Sequence, residues 1–192
     1  MLPFAFFIYY CLTKQPHHMI HIESAGNKTI INFNVKRANL FFKSILIFLI
    51  AAPIVLMLLA LVLSDKIKSP FAFFIGFLIL GLVSFFLFRL LLWNTYGKEI
   101  YTISKNEFTA INDYGWFKDN NRIISGYNEI AVMYSPVEKP HELTTLNRNS
   151  YFDKKIDYII SFYIDEEPFV SVVKVHAADL EKFSTEIETL IQ

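Results

Sequence analysis

Few residues in this chain have the types and spacing for chemistry. His17, His18 and His21 fall within five positions, and imidazoles are common ligands of zinc and copper. A closed metal site would also draw on thiolates or clustered carboxylates. No Cys and no group of acids accompanies these three histidines, so no metal is expected there. Cys11 is the single cysteine and has no plausible base beside it. That excludes a disulfide framework and a zinc site built on paired cysteines. Asp165-Glu166-Glu167 can attract a cation, but an acidic hairpin tip is ordinarily only solvated. His141 and His176 are isolated in the second half. The phosphate-binding patterns GxxxxGK[ST] and GxGxxG, the GxSxG elbow and HExxH are all absent from the sequence. The chain is therefore expected not to be an enzyme, with no catalytic residue, no cofactor and no metal ligand.

What remains is a question of where the apolar residues sit. The 192 residues carry 18 Lys and Arg against 18 Asp and Glu, and 54% are hydrophobic. Such a composition excludes a disordered chain. It also argues against a strongly basic nucleic-acid binder, so no nucleic-acid partner is expected. The charge is unevenly spread. Ser44–Ser64 holds 21 residues without a charge, and Phe71–Trp93 holds 23 with Arg89 alone. As helices each would be about 30–35 Å long, enough for a hydrocarbon core of about 30 Å. Two buried helices of a soluble core would need far more surrounding protein. The spans are expected to form a transmembrane hairpin, because only Asp65–Pro70 joins them and both long flanks must then lie on one side.

Basic residues set orientation. Lys28, Lys36, Arg37, Lys43, Arg89 and Lys98 flank the hairpin, against Lys66 and Lys68 in the link. Both termini are therefore expected in the cytoplasm, with two spans in the cytoplasmic (inner) membrane. Lys36, Arg37 and Lys43 are expected to meet headgroups. Arg89 is expected to snorkel from near the end of its span, with Trp93 and Tyr96 in the interface. An ion-path role for Arg89 is the functional alternative. Pro53 should kink the first span, and Ala72 with Gly76 forms a small-xxx-small pair.

The first twelve residues are apolar but too short to span. They are either an interfacial segment or precede a true start at Met19. Ile20–Ser24 and Thr29–Val35 flank Gly26-Asn27 and should form a β-hairpin, marginal alone and so packed on the later domain. Beyond the second span the period changes to two. Lys98–Ile103, Glu107–Asn112, Asn121–Ser125, Asn128–Tyr134, Ile156–Ile164 and Phe169–Val175 are expected strands of an antiparallel, half-buried sheet. Ser135–Lys155 reads as a long loop, functional or mobile. Tyr151 and Phe152 either anchor a partner there or begin the next strand. Ala177–Ile191 has helical spacing, with Leu180, Phe183, Ile187, Leu190 and Ile191 on one stripe for packing. The fold class is α+β, divided as 1–43 (N-terminal segment), 44–93 (hairpin) and 94–192 (cytoplasmic domain).

This order, with Trp93-(x3)-Gly97-Lys98-Glu99-Ile100 leading out of the hairpin and Tyr127-Asn128-Glu129-Ile130 further on, resembles the bacterial pleckstrin-homology-like membrane proteins over about residues 44–192. The resemblance implies a PH-like, partly open antiparallel barrel capped by the C-terminal helix, and no shared catalytic residues. The long Ser135–Lys155 stretch departs from that pattern. A photosynthetic complex assembly family has a similar layout, but no residue match carries its function over. Residues 95–192 have 10 basic and 16 acidic side chains, so the domain should be repelled by anionic lipid. Its expected partner is another protein or a second copy, with the lipid bilayer held by the hairpin. The competing expectation is a subunit of an oligomeric small channel or transporter, which the spans' lack of acidic, Asn or Gln residues disfavours.

Overall fold

The structure is a computed structural model that describes residues 20–63 and 70–191. The expectations for residues 1–19, for the link at 65–69, and for the side chains of Ala72, Leu190 and Ile191 lie outside what is described.

Alternating burial sets the strands. In β1 (Ile20–Ala25) and β2 (Lys28–Asn34) the pairing runs from Ile20↔Phe33 to Ala25↔Lys28. Gly26 opens the two-residue turn at φ 61°, the positive value a tight hairpin needs and glycine adopts freely. After the two long helices, α1 (Leu40–Leu63) and α2 (Pro70–Tyr96), come β3 (Lys98–Ser104), β4 (Glu107–Asp113) and β5 (Lys118–Ser125). These five strands form one sheet in chain order. A second sheet has the order β7–β6–β8–β9, from β6 (Ile130–Pro136), β7 (Thr144–Thr145), β8 (Asp157–Ile164) and β9 (Glu167–His176). The α3 helix (Ala177–Ile191) closes the order. The fold is thus α+β: apolar helices, two antiparallel sheets and a C-terminal helix.

The chain divides into two compact units, and not at residues 43 and 93. One comprises the chain up to Lys36, Glu99–Ile111 and Asn120 onward; the other is Arg37–Lys98 with Asn112–Asp119. The N-terminal segment therefore is not a region of its own. The apolar helices interrupt a sheet unit whose first two strands precede them in the chain. The expected packing of the β1–β2 hairpin on the later strands follows: Ile31 and Phe33 are fully buried. Phe33 meets the rings of Tyr101, Phe162 and Phe183 at 5.5, 6.3 and 5.8 Å. Phe108 and Phe169, 4.9 Å apart, extend this aromatic core. Edge-to-face rings at such spacings add to the area they bury.

On α3, Leu180, Phe183 and Ile187 are buried, as their 100° spacing requires. Strand ends move by one to three residues from the sequence expectation, most at β5, which begins at Lys118. The stretch 135–155 is less open than expected. β6 continues to Pro136, β7 pairs with Met133 and Tyr134, and Leu146 and Phe152 are buried. Phe152 does not begin the next strand. Its ring packs on Tyr134 and Tyr158 at 5.0 and 5.7 Å, while Tyr151 is 87% exposed.

The β8–β9 turn is narrower than the acidic run Asp165-Glu166-Glu167. Glu167 already pairs with Ile164, leaving Asp165 and Glu166 as the turn, at φ 47° and 74°. Asp165 is fixed there: its carboxylate accepts the N–H groups of Asn128 and Glu129 at 2.9 and 3.0 Å. Glu166 has no such excuse, and a left-handed conformation costs a residue with a Cβ roughly 1–2 kcal/mol. Glu166→Gly is expected to raise stability by about 1 kcal/mol, because relief of strain exceeds the added freedom of the unfolded chain. A thermal melt should shift upward by several degrees, and a downward shift would refute the strain.

Candidate functional site

Among the described residues, two helices are long and apolar enough to cross a membrane: Leu40–Leu59 at mean hydropathy 2.6 and Phe74–Tyr96 at 2.5. Within each, only 6% of an 18-residue apolar run is buried. Phe48, Leu56, Val62, Phe77, Leu82 and Phe86 stand more than half exposed around them. Asn39 caps α1, its side-chain oxygen accepting the Phe42 N–H at 2.8 Å. Pro53 lies inside α1, which runs on to Leu63. Near it, the Ser84 hydroxyl of α2 donates to the Ile50 carbonyl at 3.4 Å.

The chemistry in this unit gathers on the last turns of α2. Arg89 donates to the Tyr114 hydroxyl at 2.9 and 3.1 Å and to the Asp119 carboxylate. The sequence expectation for Arg89 as a free, snorkelling cation is therefore corrected. Its partners come from the 112–119 segment, 25 and 30 residues along, where no periodicity signals them. Trp93 is corrected too: it is 7% exposed and packs at 5.0 Å on Tyr114, so its ring is not free to meet headgroups. Tyr114 also stacks on Phe117, 4.6 Å away and 11° from parallel. Tyr96 and Arg37 are exposed, Lys36 and Lys43 half-buried. Lys98 stands 3.6 Å from Asp113.

Two glycines let this collar close. At Gly97 a Cβ would stand 2.3 Å from the Trp93 carbonyl and 2.8 Å from its ring. At Gly115, φ is 85° and a Cβ would stand 2.8 Å from that of Tyr96. The Asp113 carboxylate accepts the Gly115 N–H at 2.7 Å, and the Phe117 carbonyl accepts the Tyr114 N–H at 3.0 Å. Residues 113–117 thus form a built turn that carries Trp116, 74% exposed, against Phe88 at 5.8 Å. In the sequence, Asp113-Tyr114-Gly115 marks a turn, and nothing singles out Tyr114, Trp116 or Asp119 as partners of the second span. The available signal was the aromatic density of Tyr114-Gly115-Trp116-Phe117.

In the sheet unit Glu99 is buried, at 2% exposed. β8 and β9 slip register between Ile159 and Ser161. Across that bulge the Glu99 carboxylate accepts from Val172 N–H at 2.8 Å and Ser171 Oγ at 2.5 Å, with Val173 N–H and Tyr101 OH further off at 3.5 and 3.4 Å. Burial raises the Glu99 pKa above the ordinary value of 4.5, and these donors only partly offset it. A raised carboxyl pKa means that the folded chain holds the proton more tightly than the unfolded one. The stability this contributes is fully present below pH 4.5 and is lost as pH rises through the folded value. The Glu99→Gln variant lacks this titration. The melting temperature of the unaltered chain, taken relative to that variant, should fall from pH 4 to pH 7; a flat or rising difference would refute it.

His21 stands 3.1 Å from Glu23, so one of the three histidines has an acidic neighbour after all. Among the described residues, no group of three or more His, Cys, Asp or Glu side chains converges. The Asp165 tip serves its own turn, as described above. No protein-family model matches the chain, and no curated protein matches it either.

Proposed function

We propose that this chain is a non-enzymatic, membrane-anchored interaction or assembly module. Its hairpin crosses the bacterial cytoplasmic membrane twice, and its split sheet unit, PH-like in the order of strands and closing helix, binds another protein or a second copy on the cytoplasmic side. The observation that carries the reading is the exposure of α1 and α2. Helices of mean hydropathy 2.5–2.6 that leave 18-residue apolar runs almost wholly exposed do not suit a water-exposed surface. The six-to-two excess of basic residues on the flanks supports the orientation. The interaction role draws on apolar side chains left outward on the sheet unit: Tyr151, and Val170 and Val172 on the edge strand β9.

The test is purification of the full chain in mild detergent with its mass measured. A stoichiometric protein partner that is lost on Tyr151→Ala, or a dimer so lost, supports the module. A homo-oligomer that conducts ions in liposomes points to a channel subunit instead. A monodisperse chain that needs no detergent contradicts the membrane anchor.

A further inference from the structure

Trp116 is 74% exposed although it lies outside both helices of the hairpin, and nothing in the membrane-crossing reading accounts for it. Its ring lies against Phe88, eight residues and therefore about 12 Å along the helix from the end of α2 at Tyr96. Phe85, three residues before Phe88 and so on the same side of α2, is exposed as well, so the apolar surface of the span continues onto the Trp116 ring. A surface loop carrying an exposed indole is unusual. One whose backbone and charges are already satisfied within the turn is suited to a place where water is scarce. Here Gly115 N–H and Tyr114 N–H both have acceptors inside the turn, and Arg89 and Asp119 neutralise each other beside it. Lys118, exposed two residues on, supplies a cation of the kind that meets lipid phosphates.

We infer that the 112–119 turn is a membrane-inserted finger, with Trp116 seated at the headgroup–acyl boundary beside the second span. Trp prefers that layer because its ring is amphipathic, apolar across the body and polar at N–H. The inference rests on the hairpin crossing the membrane. The occupant is lipid rather than a second protein, because the ring is continuous with a span surface that lipid itself would cover.

The chain has two Trp, which makes the test direct. The full-length Trp93→Phe chain, reconstituted in phosphatidylcholine vesicles, leaves Trp116 as sole emitter. Lipids brominated near the headgroup end should remove most of its emission, lipids brominated near the chain ends much less, and aqueous acrylamide little. The difference spectrum between the unaltered chain and Trp116→Phe reads the same residue with Trp93 in place, should Trp93→Phe fold poorly. A chain with both Trp changed to Phe and Leu82→Trp reports on the span itself. If Leu82→Trp is quenched by the deep bromines while Trp116 answers only to acrylamide, the finger is refuted and the hairpin stands. If neither is quenched by bromine, both fail.

Discussion

Phe183→Ala is expected to lower the stability of the sheet unit by about 3–5 kcal/mol, the usual cost of truncating a buried Phe to Ala. Phe183 is 1% exposed, between fully buried Leu180 and nearly buried Ile187, with its ring 5.8 Å from Phe33. A helix of 15 residues is marginal alone in water, so α3 owes its existence to this stripe. Removing the ring leaves a cavity where α3 and β2 meet the aromatic core, and the melting temperature should drop on the order of 15 °C or more. Glu186→Ala is the control. Glu186 pairs with Lys182 at 3.8 Å on the outer face, and an exposed pair of this kind contributes about 0–1 kcal/mol. Equal melting temperatures for the two variants would show that α3 is not packed through Phe183.

A larger loss is expected from deleting residues 1–35. β2 lies beside β3 in the five-stranded sheet, and Ile31 and Phe33 are fully buried. With Val35, the deletion removes three core side chains worth roughly 1.5–3 kcal/mol each by burial. It also strips β3 of its neighbour and leaves Tyr101, Phe162 and Phe183 facing a void. Typical domains have only about 5–15 kcal/mol in total, so the sheet unit should fail to fold. Limited proteolysis in detergent should cleave it throughout, where the full chain resists. Continued resistance would refute the shared core. The same logic says that a fragment starting at residue 95 is not an autonomous domain.

Periodicity explains what the sequence made legible. Period-two runs such as Ile156–Ile164 mark one buried face, and Tyr158, Ile160, Phe162 and Ile164 occupy it. Likewise the stripe Leu180, Phe183 and Ile187 is where helical spacing puts it. What periodicity does not carry is pairing between distant segments. Arg89 looked like a lone cation because Asp119 is 30 residues away in an irregular turn. Trp93 looked interfacial because its type and position at a span end say so, until Tyr114 covers it. Phe152 sat in a polar loop with no pattern around it, yet Tyr134 and Tyr158 close on it. Glu99 carries no local signal that its carboxylate has partners. Its burial depends on a bulge in β9, some 70 residues later, that offers N–H groups without ladder partners.

The central claim is that the apolar hairpin crosses a membrane twice, leaving Lys28 and Lys154 on one side and Lys66 on the other. In a Cys11→Ser background, a single Cys is placed at Lys28, Lys66 or Lys154 and treated with a membrane-impermeant thiol reagent in intact cells. Lys66→Cys should be labelled at once, while Lys28→Cys and Lys154→Cys should be labelled only after permeabilisation. Labelling of Lys154→Cys in intact cells, or the same response from all three positions, would contradict the claim.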